Sequence, residues 1–232
     1  MLCLLLIRFI GMPYEVGRLA SLLGLVGADG LASWLLDALN DSPDARINRN
    51  IYWSLWRVFG YVVLPLCVIR VALRAKISEF GTAFTASWAF GRIYLFLIAL
   101  LLPFVVVASY SPEFQASYPF YQVAPGESLW PRFWAWEILY ALQFVSLEFF
   151  FRGFLLHGLL PRFGYMSIFV MMAPYTMIHF QKPALEAVGS IVAGFALGTL
   201  ALESRSIWWG AFAHVSIALS MDLLSLWQRG FF

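Results

Sequence analysis

The chain has 232 residues, of which 62% are hydrophobic and 12% charged, with a formal net charge of +2 and a mean hydropathy of +0.79. A soluble domain carries about 45–50% apolar and about 25% charged residues, so a water-soluble globule is excluded and lipid must cover part of the surface. The small net charge and the lack of a long basic run give no footing for nucleic acid as a partner.

In chain order, the first apolar stretch, roughly 1–27, is interrupted by Arg8, Pro13, Glu15 and Arg18. It reads as a weak span or an amphipathic helix lying in the membrane interface. Its first residues lack the basic opening of a secretory signal and are expected to stay in the mature chain. Residues 38–50 are polar and read as an extramembrane linker. Six apolar spans follow, roughly at 51–73, 88–109, 133–159, 163–180, 185–202 and 206–228, each near the length a helix needs to cross the hydrocarbon core. Residues 110–132, rich in Pro, Ser, Tyr and Glu, form the longest later loop. The alternating ten-residue segments of a membrane β-barrel are absent. The expected fold is therefore all-α: a polytopic transmembrane helix bundle of six to eight membrane helices. Its expected division is an N-terminal region with linker (1–50), accessory transmembrane helices (51–132) and a catalytic helix bundle (133–229).

Arg70, Arg74 and Lys76 cluster after one span and mark that side as cytoplasmic, which turns the 110–132 loop outward. Cys3 and Cys67 lie in apolar contexts without metal-type spacing and read as small buried hydrophobes. The short, compact chain points to a multi-pass protein of a bacterial inner membrane.

Ionisable groups inside a span are costly, so each is a functional-site hypothesis. Glu148 and Arg152 share one predicted helix, His179 ends the next, and His214 and Asp222 lie in the last; Glu186 follows the Gln181-Lys182-Pro183 turn. Glu148 and Arg152 stand four apart, about 40° around a helix, where an ion pair would offset part of the cost of burial. On its own such a pair can be purely structural. The chain has three histidines, and two of them fall in separate apolar spans beside the Glu/Arg helix. His157 is nine residues from Glu148, which on an α-helix points it about 180° away. A carboxylate with two imidazoles can hold a metal such as zinc with an open position for water. It can equally act without metal, the carboxylate taking a proton from water while imidazoles stabilise an oxyanion.

Residues 147–156 (Leu-Glu-Phe-Phe-Phe-Arg-Gly-Phe-Leu-Leu) resemble the first signature, Glu-Glu-x-x-x-Arg, of the CAAX-protease and bacteriocin-processing family of intramembrane endopeptidases. Residues 175–179 (Tyr-Thr-Met-Ile-His) resemble its second signature, and 210–214 (Gly-Ala-Phe-Ala-His) its third. The resemblance covers roughly 134–228. It implies hydrolysis of a peptide bond in a membrane-associated or lipid-modified protein or peptide, with Glu148 activating water and Arg152 orienting Glu148. His179 and His214 would bind the oxyanion-bearing group. If a metal is used, one zinc ion would sit on His179, His214 and Glu148. Glu186 and Asp222 would line the cavity. The chain departs from the family pattern twice: Leu147 stands at the first glutamate and Ala218 at the asparagine four after the histidine. These departures keep open a catalytically inactive member acting as a membrane scaffold or immunity protein. A proton or ion pathway through the same residues is a further alternative, although no duplicated halves accompany it.

Overall fold

The computed structural model describes residues 1–84, 87–124 and 126–232; within them the regular structure is helical, with no strand. The N-terminal third starts with three short helices, α1 (Leu2–Phe9), α2 (Val16–Leu25) and α3 (Asp29–Asn40). Pro13, at the head of a 3-10 turn, and Gly27, at φ +75°, separate them. At 1.5 Å per residue none of the three reaches across a hydrocarbon core of about 30 Å. Asp41–Asp44 alone separate α3 from the next helix.

Among the described residues, five helical segments are long and apolar enough to cross a membrane: Ala45–Ala72, Trp88–Ala108, Arg132–Met177, Ala184–Ser204 and Trp208–Gln228. The first contains α4 (Ala45–Val58) and α5 (Leu64–Cys67) with π-helical turns after each. The second is α6 (Trp88–Ala108), followed by the short α7 (Pro112–Ser117). The third begins as α8 (Arg132–Glu148), continues as a π-helical segment (Phe149–His157) and α9 (Gly158–Phe163), and ends as α10 (Ser167–Met177). The last two are α11 (Ala184–Ser204) and α12 (Trp208–Gln228).

The third segment contains the span expected at 133–159 and most of that expected at 163–180, ending at Met177, and it is not straight. The Arg152 guanidinium lies 3.9 Å from the centre of the Tyr175 ring, whereas an unbroken helix would hold those residues about 35 Å apart. The reversal falls at Gly164, whose φ of +54° and ψ of −141° are open to glycine alone. α10 then packs back on the π segment, with Phe151, Met171 and Tyr175 in one apolar cluster. Gly194 and Gly198 give α11 a face without side chains, and Tyr175, Met171 and Ile168 of α10 occupy it, the small-residue packing usual between membrane helices. The outer faces are apolar and exposed, as on Phe96, Leu100, Phe104 and Val107 of α6 and Leu185, Val188 and Val192 of α11. Lipid is their natural cover.

α8 and α12 run antiparallel through the centre. Their contact carries two polar layers, Glu148 with His214 and Glu137 with Asp222. At 1.5 Å per residue along α8 the layers stand about 16 Å apart.

Candidate active site

Glu148 is the last residue of α8 and Arg152 lies one turn on, inside the π segment. A π turn widens the helix and recurs at functional sites; here it carries the arginine under the ring of Tyr175. Glu148 and Arg152 have fully buried side chains, with Nη1 of Arg152 3.1 Å from Oε1 of Glu148. None of the three guanidinium nitrogens has hydrogen-bond geometry towards a described residue, so charge and the Tyr175 ring hold this cation rather than a directed bond.

The same Oε1 accepts a hydrogen bond from Nδ1 of His214 at 2.9 Å. Phe144, one turn before Glu148, lies against the His214 ring with centroids 4.6 Å apart. One carboxylate oxygen is thus anchored by two cationic or polar side chains, while Oε2 has no partner among the described residues. A buried carboxylate oxygen without a partner is expensive, and it is the atom free to take a proton.

Tyr175 joins the second motif to the first through two of its parts. Its ring receives Arg152, and its backbone carbonyl accepts from Nδ1 of His179 at 2.8 Å. A carbonyl only accepts, so Nδ1 of His179 bears the proton and Nε2 is bare when the ring is neutral. Burial pushes this imidazole down to about 4, against the upward pull of the Tyr175 carbonyl, so it is neutral at physiological pH. A neutral ring in this tautomer offers a lone pair at Nε2 and no donor.

Glu148, Arg152 and His214 thus make direct contact, and His179 joins them through Tyr175. Glu186 and Asp222 stand elsewhere. Glu186 accepts from the Tyr118 hydroxyl at 2.7 Å and pairs with Lys182 at 3.6 Å. Asp222 accepts the Phe120 backbone N–H on both oxygens, at 3.1 and 3.0 Å. Both carboxylates fasten the 118–124 loop to the bundle. His157 donates from Nδ1 to the Arg152 carbonyl and faces Gly81.

The three donors that a zinc ion would use do not converge. Among the described residues no group of three His, Cys, Asp or Glu side chains is placed to hold a metal ion. Nδ1 of His214 is already committed to Glu148. As placed, the donor set does not fit a metal ion.

Two residues of this region escape a motif-based reading. Glu137 is buried on α8 with its carboxyl against that of Asp222; its position inside a predicted span was the available signal. Tyr94 on α6 is fully buried, with its hydroxyl unpartnered. The two departures from the family pattern are packed in apolar surroundings. Leu147 lies among Tyr61, Phe150 and Phe151, and Ala218 against the cluster of Trp136 and Tyr140.

Residues 129–220 match the family described as Type II CAAX prenyl endopeptidase Rce1-like. The match contains Glu148, Arg152, Tyr175, His179 and His214. No curated protein and no solved structure matches the chain.

Proposed function

We propose, from the premise that residues 129–220 belong to the Rce1-like CAAX protease family, that the chain is an intramembrane endopeptidase. Its substrate is a membrane-associated or lipid-modified protein or peptide, and its setting the inner membrane of a bacterium. The observation that carries the reading is the asymmetry of Glu148: Oε1 is fixed by Arg152 and His214, and Oε2 is buried without a partner.

In this reading Oε2 takes a proton from a water as the water oxygen bonds to the carbonyl carbon and the C=O π electrons move onto oxygen. His214, held by its Nδ1 on Glu148, lies beside the developing oxyanion, where a preorganised polar group stabilises the transition state most. Collapse restores the carbonyl and breaks the C–N bond, while the proton held on Glu148 passes to the departing nitrogen. Arg152 keeps Glu148 ionised and oriented. His179, neutral with Nε2 bare, accepts a substrate N–H and aligns the scissile bond. Glu186 and Asp222 anchor the 118–124 loop to the bundle. Leu147 supports Glu148 as the base, because its position turns into an apolar cluster.

The test is to incubate purified wild type and Glu148→Gln with a pool of membrane-derived peptides, prenylated and unprenylated, and to map new termini by mass spectrometry. Cleavage by wild type that disappears with Glu148→Gln supports the protease. A second reading, a catalytically inactive scaffold or immunity protein, draws on the two departures at Leu147 and Ala218. It predicts no Glu148-dependent termini, with biological activity retained in both Glu148→Gln and His179→Ala.

A further inference from the structure

α6 lies outside the stretch that matches the family, and most of its surface is apolar and exposed. Its buried positions are Gly91, Tyr94 and Val105. Gly91 receives the Trp209 ring of α12, and one residue further on Gly210 faces both Tyr94 and Glu148. A Cβ built on Gly210 would stand 3.0 Å from Oε2 of Glu148 and 3.7 Å from the Tyr94 hydroxyl. Both oxygens are buried and both lack a hydrogen-bond partner among the described residues. Tyr94 lies six residues, about 9 Å, from the start of α6. Each of these oxygens is thus placed to bond a polar species that enters beside Gly210.

We propose that Tyr94 is a further catalytic residue: its phenol and Oε2 of Glu148, which both abut Gly210, part to take the attacking water between them. This rests on Glu148 acting as the base. The phenol donates to one lone pair of the water oxygen and the water donates to Oε2, which directs the second lone pair towards the substrate carbonyl. On attack the O–H bond to Glu148 breaks and the C–O bond forms, while Tyr94 keeps its proton throughout. The accessory helix thereby supplies part of the reacting centre, and the matched stretch alone is an incomplete active site.

Tyr94→Phe removes the hydroxyl and keeps the ring in its packing. With the peptide pool, its kcat falls about ten- to hundredfold at unchanged KM, in line with the loss of one well-placed hydrogen bond in the transition state. Gly210→Ala, whose methyl would stand 3.0 Å from Oε2 of Glu148, falls in the same way. Independently of any substrate, the carboxylate stretch of Glu148, isolated by infrared subtraction of Glu148→Gln, shifts in Tyr94→Phe. A Tyr94→Phe rate within twofold of wild type while Glu148→Gln is inactive, or an unshifted carboxylate band, overturns the inference. If Glu148→Gln itself cleaves at the wild-type rate, the protease mechanism fails instead, and the infrared band still decides whether Tyr94 and Glu148 share a water.

Discussion

Replacing Arg152 by methionine keeps much of the side-chain volume and removes the charge beside Glu148. The carboxylate would then be fully buried with His214 as its remaining partner. Removing one member of a buried ion pair costs about 3–5 kcal/mol in soluble proteins, and a desolvated cation on an aromatic face is worth about 2 kcal/mol. Polar contacts between membrane helices are weaker, about 0.6 kcal/mol on average and rarely above about 1.7, because the unfolded chain in the bilayer finds substitute partners. The burial of this pair decides between the two scales. Both side chains are enclosed by protein at 0% exposure, and a fully ionised pair has no equivalent partner in lipid. The expected loss for Arg152→Met is about 3 kcal/mol, and the double variant Arg152→Met/Glu148→Gln recovers most of it. The assay is SDS-induced unfolding in bicelles followed by tryptophan fluorescence. A loss below about 0.5 kcal/mol for Arg152→Met, or strict additivity in the double variant, refutes the argument that charge holds this pair.

Gly153→Ala would place a methyl 2.9 Å from the backbone carbonyl of Phe80, and overpacking of this kind destabilises by about 1–3 kcal/mol; a Tm equal to wild type contradicts it. Asp222→Ala leaves the Phe120 N–H without its acceptor and frees the 118–124 loop, with a cost of about 1–3 kcal/mol; limited proteolysis should then cut that loop first, and unchanged cleavage kinetics would contradict the anchoring role. His179, lowered by burial, should titrate near 4 in an NMR experiment, and a midpoint near its ordinary value of about 6.5 would refute the neutral acceptor. Because the unfolded imidazole binds its proton first, His179 contributes full stability above about pH 6.5, and that contribution is lost as pH falls through the 6.5-to-4 window.

Much of this arrangement is written locally. Apolar runs of about 20 residues announce α6, α11 and α12 because a lipid-facing helix needs little else. Glu148, Arg152, His179 and His214 stand out because a charged or polar group in such a run is rarely neutral to function. The reversal at Gly164 shows in the sequence only as the short gap between the spans expected at 133–159 and 163–180. Its consequence, the stacking of Arg152 on Tyr175, depends on a long-range approach that helical periodicity does not report. His157 illustrates the limit of angular reasoning, since the π segment between it and Glu148 turns less per residue than the α-helix assumed. Tyr94 was hidden for another reason: tyrosine is common in membrane helices, and only the neighbourhood of Gly210 distinguishes a buried phenol from an interfacial one. Glu186 and Asp222 were visible as charges, but their work on the Tyr118 and Phe120 loop follows from chain folding between distant segments.

The central claim is that Glu148 directs water onto a peptide carbonyl. Cleavage of the peptide pool in water enriched in oxygen-18 tests it most directly, read by the mass of the new carboxyl termini. Wild type should place one labelled oxygen in each new carboxyl group in a single turnover, and Glu148→Gln should yield no such termini. Labelled termini produced equally by Glu148→Gln, or their absence with folded wild type, would contradict the account.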